Sequence, residues 1–307
     1  MTKASAPGKV ILLGEHAAVY GRPALAAPVQ AVRAHAEVLS LDDDRVKLEA
    51  PEVGIEAYLD EMPDSQPLAR AIRLSMEEAQ VSGGIQVRVT SDIPPASGLG
   101  SSAAVSVAIM RAVCEHFEHE LAADRAAQMA FEVEKLHHGD PSGIDNTVVA
   151  FEIPLLFIKG EEPRPLGVTG RFQFVIGDTG EPSPTKELVT MLRGRWAGDT
   201  EFVDALFDSI GELTDQAAAS IGQGEIDNLG PLMHHSQTLL ETLGVSGPSL
   251  ERLIRAAIGA GALGAKLSGA GGGGIMIALV DDSSLEAVDS ALREAGAVRT
   301  IHTAIGQ

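Results

Sequence analysis

The sequence predicts an α+β protein made of two mixed α/β halves, and three observations carry that expectation. Strand-type and helix-type segments are both abundant along the 307 residues. A Pro- and Gly-rich stretch at 161–170 interrupts them near the middle of the chain, giving halves of 1–165 and 166–307. The last fifty residues read as a compact β-β-α-β succession. The length is enough for one large domain or two ordinary ones, and 45% apolar with 21% charged residues is the composition of a folded chain.

Taken in order, residues 9–13 form an apolar, β-branched strand that stops at Gly14-Glu15-His16. A turn at Tyr20-Gly21-Arg22-Pro23 leads into extended chain over 24–41, and Asp42 to Asp44 make an acidic turn. Residues 85–90 alternate Ile, Val and Val with Gln, Arg and Thr, the period-2 pattern of a half-buried strand. Pro94-Pro95 and Gly98-Leu99-Gly100 then break the chain before helices over 103–116 and 122–136. A short turn or helix bearing Asp145 precedes strands near 155–158 and 172–176. Apolar spacing predicts helices over 185–193, 201–221, 225–243 and 248–259. The tail supplies strands at 262–267 and 274–280, a helix at 284–294 and a strand at 298–303.

Composition excludes some roles. With 23 basic and 43 acidic residues the net charge is −20, opposite to the field that general nucleic-acid or anionic-membrane binding needs. Cys114 is the single cysteine, so neither an internal disulfide nor a closed cysteine zinc site can form. No signal-peptide core or apolar run of about 18 residues occurs, so a soluble cytoplasmic protein is expected.

Five segments could carry chemistry. Pro94-Pro95-Ala96-Ser97-Gly98-Leu99-Gly100-Ser101-Ser102-Ala103 lies between a strand and a helix, where glycines admit a close ligand and helix-start N–H groups face phosphate; a turn with serine caps is the plain alternative. It lacks the Gly-Lys-Ser/Thr of a Walker loop. Lys266-Leu267-Ser268-Gly269-Ala270-Gly271-Gly272-Gly273-Gly274 contains the dinucleotide spacing of glycines, but a strand rather than a helix follows, so a structural loop near substrate is expected instead. His137-His138-Gly139-Asp140-Pro141-Ser142-Gly143-Ile144-Asp145-Asn146, with Glu132 and Glu134 before it, offers one carboxylate to take a proton from a hydroxyl and another to hold Mg²⁺. Lys9, heading an apolar strand, needs a carboxylate or an anionic ligand unless that strand end is solvated. Asp178-Thr179-Gly180-Glu181-Pro182-Ser183-Pro184-Thr185-Lys186 joins a strand to a helix, either as an anion contact or as an N-cap.

The order and spacing of these segments resemble the GHMP small-molecule kinases over nearly the whole chain, from Lys9 to about Val280. Gly14 to Gly21, His138 to Asn146, Asp178 to Gly180 with Thr185-Lys186, and Lys266 to Gly274 are most similar to the branch that phosphorylates mevalonate. The resemblance implies a ribosomal-protein-S5-like N-terminal half and a ferredoxin-like βαβ C-terminal half, with the active site in the cleft between them. It implies ATP as co-substrate with Mg²⁺, and mevalonate as the small-molecule acceptor. Asp145 and Lys9 then match the catalytic pair, and Pro94 to Ala103 the loop around the ATP phosphates. Ser102 and Glu134 match the Mg²⁺ positions, and Glu15, His16, Thr185, Gly269 and Ala270 the substrate side. Where family members commonly carry Gly-Gly after the catalytic aspartate, this chain reads Val149-Ala150-Phe151-Glu152-Ile153-Pro154. The resemblance leaves a homodimer open. Another kinase of the superfamily, acting on phosphomevalonate or a sugar, and a non-catalytic ligand sensor remain the alternatives. Phosphomevalonate would demand extra cations, and only seven lysines are present.

Overall fold

The computed structural model describes residues 1–138 and 141–307. In chain order the strands and helices are β1 (Thr2–Leu13), β2 (Ala24–Ser40), β3 (Val46–Ala50), β4 (Ile55–Tyr58), α1 (Pro67–Ala79), β5 (Ile85–Ser91), α2 (Ser101–His116), α3 (Ala123–His138), α4 (Ile144–Phe151), β6 (Leu155–Phe157), β7 (Arg164–Pro165) and β8 (Arg171–Asp178). They continue as α5 (Thr185–Gly198), α6 (Thr200–Gln223), α7 (Ile226–Thr242), α8 (Pro248–Gly259), β9 (Gly264–Ser268), β10 (Ile275–Val280), α9 (Leu285–Glu294) and β11 (Arg299–Gly306). A short 3-10 turn, Ala17–Tyr20, follows β1.

Two compact units are interleaved along the chain. The first comprises residues 1–9, 32–94 and 100–152. In it the later residues of β2 pair antiparallel with β5, β5 pairs parallel with β3, and β3 antiparallel with β4. Helices α1, α2 and α3 pack on one another, and α4 on α2 and α3. Helix α2 is buried on most of its circumference, through Ala103, Ala104, Val107, Ala108, Ile109, Met110, Ala112 and Val113. Its small residues let neighbouring helices approach from several sides, as expected of a helix at the centre of a core. Free Cys114 is buried in the same helix.

The second unit comprises residues 10–31, 95–99 and 153–307. The start of β2 pairs with β6, Ala24 opposite Phe157, and β6 pairs with β7. A four-stranded antiparallel sheet runs β11-β8-β10-β9. All six residues of β10 are buried, which is why 275–280 reads as an unbroken apolar run. Helices α8 and α9 pack on this sheet and α7 lies along β9, around a core that includes Phe207, Leu253, Leu267, Met276 and Leu292.

The tail forms the expected β-β-α-β succession, with β8 inserted between β10 and β11. From the sequence no regular structure is expected over 45–84, whereas β3, β4 and α1 lie there. Helix α1 starts at Pro67, and the Gln66 side chain accepts the Ala69 N–H at 2.7 Å, so a glutamine does the work of the usual short capping residue. Among the described residues no helix is long and apolar enough to cross a membrane.

Candidate functional site

In the first unit the segments converge around Lys9. Its side chain is 4% exposed and its Nζ lies 2.9 Å from Asp145 Oδ1, while the aspartate is 35% exposed. The lysine is thus screened from water and the carboxylate remains reachable. Gly143, in left-handed conformation, opens α4 and places Asp145 in the first helical turn. The stem of Lys9 runs against Gly100, where a Cβ would lie 2.8 Å from Lys9 Cγ and where φ is +72°. Any larger residue would push the lysine away from Asp145.

Helix α2 begins immediately after Gly100 and has no side-chain cap. Its first intrahelical bond is donated by Ala104 N to Gly100 O, so the N–H groups of Ser101, Ser102 and Ala103 point along the helix start and not into the helix. Ser102 Oγ donates to Glu134 Oε1 at 2.5 Å, and Glu134 is buried on α3. A hydroxyl and a carboxylate so placed are hard oxygen donors of the kind Mg²⁺ takes from a protein when phosphate and water complete its shell. Among the described residues no group of three His, Cys, Asp or Glu side chains could hold a metal. Gly139 and Asp140, which belong to the segment before Asp145, lie outside the described residues.

The second unit holds the Gly14-Glu15-His16 turn and the glycine-rich loop. Lys266, fully buried on β9, is paired with the buried Glu15 and also donates to Leu267 O at 2.6 Å. Burial pulls the Lys266 ammonium below its ordinary range and the Glu15 carboxylate opposes that shift. The Lys266 charge is therefore taken up by Glu15 inside the core. Glu15 likewise faces the core and anchors the turn that carries His16. His16 Nε2 donates to Ala270 O at 2.9 Å, leaving Nδ1 as the ring's acceptor. Burial lowers its pKa to about 4; the bond to Ala270 raises it and the Lys266 charge lowers it further. The imidazole is neutral at neutral pH.

The glycine-rich loop is packed from several sides. Ser268 exchanges hydrogen bonds with Ile11, accepting from N at 3.0 Å and donating to O at 2.9 Å. Gly272 N donates to Val245 O, Ser183 Oγ to Gly271 O and Thr179 Oγ to Gly274 O, all within 2.8 Å. A Cβ on Gly271, where φ is +85°, would lie 2.0 Å from Val245 O. Ser97, buried in the 95–99 segment, accepts the Leu99 N–H, and its carbonyl lies beside Gly274. Thr185 opens α5 with its side chain exposed, its N–H bonded to Ser183 O. Pro95 and Ala96 are exposed too.

The structure therefore brings Lys9, Asp145, Gly100, Ser102 and Glu134 together in one unit, and Glu15, His16, Lys266 and Ala270 in the other. The Lys266–Glu15 pair was missed because its partners stand 251 residues apart. A charged residue inside each of two apolar segments was the available signal.

The family model for the GHMP kinase N-terminal domain matches residues 67–152, and that for the GHMP kinase C-terminal domain matches 217–298. A mevalonate kinase of Pyrococcus horikoshii is 38% identical over 97% of this chain and 94% of its own, and one of Archaeoglobus fulgidus 34% identical over 90% and 91%. The solved mevalonate kinase of Methanococcus jannaschii has a TM-score of 0.85 at 26% identity, covering 99% of this chain and 98% of that one. The L. major enzyme in complex with R-mevalonate gives 0.84 at 27% identity, covering 99% and 96%.

Proposed function

The chain belongs to the mevalonate kinase family of GHMP kinases, and from that premise we propose that it transfers the γ-phosphoryl group of ATP to the 5-hydroxyl of (R)-mevalonate, giving 5-phosphomevalonate and ADP. The observation that carries the chemistry is the Lys9–Asp145 pair, a buried cation against a reachable carboxylate. Asp145 takes the hydroxyl proton as the hydroxyl oxygen attacks the γ-phosphorus and the bond to the departing ADP oxygen breaks. Its basicity is modest, which suffices where the transition state is loose and positioning dominates. Lys9 stabilises charge on the transferring group.

The uncapped start of α2 at Ser101 to Ala103 holds phosphate oxygens, with Pro94 to Gly100 shaping the approach. Ser102 and Glu134 are the residues that would hold Mg²⁺, whose chemistry there is to neutralise charge on the β- and γ-phosphates. On the acceptor side a neutral His16 offers Nδ1 to a substrate hydroxyl, with Thr185, Gly269 and Ala270 lining the approach. The functional halves are taken as 1–165 and 166–307, each containing one family match, and the enzyme as a cytoplasmic one.

The test is ADP release by the purified protein with ATP and Mg²⁺ against mevalonate, phosphomevalonate, homoserine and sugars. Release with mevalonate alone is expected, and Asp145→Ala should lose at least about a hundredfold in kcat with nucleotide binding retained. Release only with another acceptor would overturn the substrate, and none with any acceptor would favour a ligand sensor.

A further inference from the structure

A second set of contacts joins the two elements that carry the catalytic pair. Lys9 lies on β1 and Asp145 at the start of α4; Ser5 lies on β1 and Glu152 at the end of α4. Arg33 Nε donates to Ser5 Oγ at 3.0 Å, and its Nη1 and Nη2 reach both carboxylate oxygens of Glu152 at 3.1–3.2 Å. Arg111 Nη1 donates to Ser5 O at 3.0 Å and to Glu152, while its Nη2 donates to Ala150 O at 2.8 Å. Ser5 and Glu152 are thereby bridged twice, once by each arginine.

The spacing gives this ring its bearing on the site. Ser5 and Lys9 are four residue steps apart on the strand, about 13 Å at ~3.3 Å per residue, and both side chains share a face of it. Seven residues separate Asp145 from Glu152, about 10 Å at ~1.5 Å per helical residue. One strand and one short helix are thus fastened at two points at comparable intervals, and the point remote from the reaction is the more heavily bonded. Glu152 has φ +55°, a left-handed backbone that a glycine would adopt without strain. The glutamate at this position receives both arginines through its carboxylate. Burial would raise its carboxyl pKa, but the guanidiniums of Arg33 and Arg111 overcome that and hold it below the ordinary carboxylate range.

We infer that Ser5, Arg33, Arg111 and Glu152 form a positioning strut that sets Asp145 against Lys9 by fixing α4 relative to β1. The inference rests on the phosphoryl-transfer reading above. Glu152 touches none of the reacting groups, so its effect falls on the geometry of the pair and not on ligand affinity.

The test compares Glu152→Gln, Glu152→Gly and Arg111→Lys with the parent and with Asp145→Ala, using ATP, Mg²⁺ and (R)-mevalonate. Folded fraction and thermal midpoint are measured alongside, with assays run well below the midpoint. Glu152→Gly relieves the backbone strain while removing the strut, so it remains informative if Glu152→Gln folds poorly. Arg111→Lys keeps the charge but cannot reach three acceptors at once. In all three, kcat per folded molecule should fall about tenfold or more, with both KM values and the Kd of a non-hydrolysable ATP analogue within about twofold. An unchanged kcat per folded molecule overturns the strut, as does a loss confined to KM. A dead Asp145→Ala beside fully active Glu152 variants sinks the strut alone, while a fully active Asp145→Ala sinks the catalytic reading and the strut together.

Discussion

At the residue scale the site depends on where charge is allowed to stay. Lys9 lies against Asp145, and Lys266 is held inside the core against Glu15. His16, beside that second pair, has its pKa drawn to about 4 from the 6.5 of an unfolded chain. Between those values the unfolded chain binds a proton that the native imidazole refuses. Its contribution is therefore complete above about pH 6.5 and is lost as the pH falls toward about 4. Urea unfolding at about pH 7 and about pH 5 should show a smaller acid-induced loss of stability in His16→Asn than in the parent. An equal loss in both would place the sensitivity elsewhere. Lys9 and Asp145 were legible in the sequence, because a lysine in an apolar strand and an aspartate in a Gly-Ile-Asp-Asn turn both call for partners. Arg33, Arg111 and Glu152 were not, since each alone is an ordinary charged residue and only the fold joins them.

At the element scale the glycine-rich loop distinguishes tight packing from flexibility. Gly271 has a carbonyl where its Cβ would go, whereas Gly269, also at positive φ, has open space. Gly271→Ala should lower the unfolding free energy by about 3 kcal/mol, combining left-handed strain with displacement of Val245 and its bond to Gly272. Gly269→Ala, with strain alone, should cost about 1 kcal/mol. Chemical denaturation measures both, and equal losses would mean that the loop is loose. The strand after this loop was readable because β10 is a buried apolar run. The region between β2 and β5 was harder. Strand β3 has only five residues, and its parallel pairing with β5 requires a crossover that no local pattern announces. In α1 the capping glutamine hid the start, although Pro67 and the buried spacing of Ala69, Ile72 and Ser75 mark a helix.

At the scale of the whole molecule the net charge of −20 first served to exclude anionic polymers as partners. The proposed ligands are anions too, met by an uncapped helix start and one buried lysine, so local placement overrides the total. The total acts instead on stability. At about 0.01 M salt the screening length is ~30 Å and the acidic surface repels itself, whereas near 0.15 M it is ~8 Å. Exposed ion pairs such as Arg45–Glu61 contribute little and weaken only slightly on screening, so the loss of self-repulsion dominates and the urea midpoint should rise across that interval. A falling midpoint would show that the ion pairs outweigh the repulsion. The distance along the chain between Glu15 and Lys266 also sets a schedule. Ribosomes add about 5–20 residues per second, so the 251 residues between them take roughly 13–50 s to make. For that interval Glu15 exists without the lysine that it pairs with in the core, and the turn carrying His16 reaches its final packing only after Lys266 has been made.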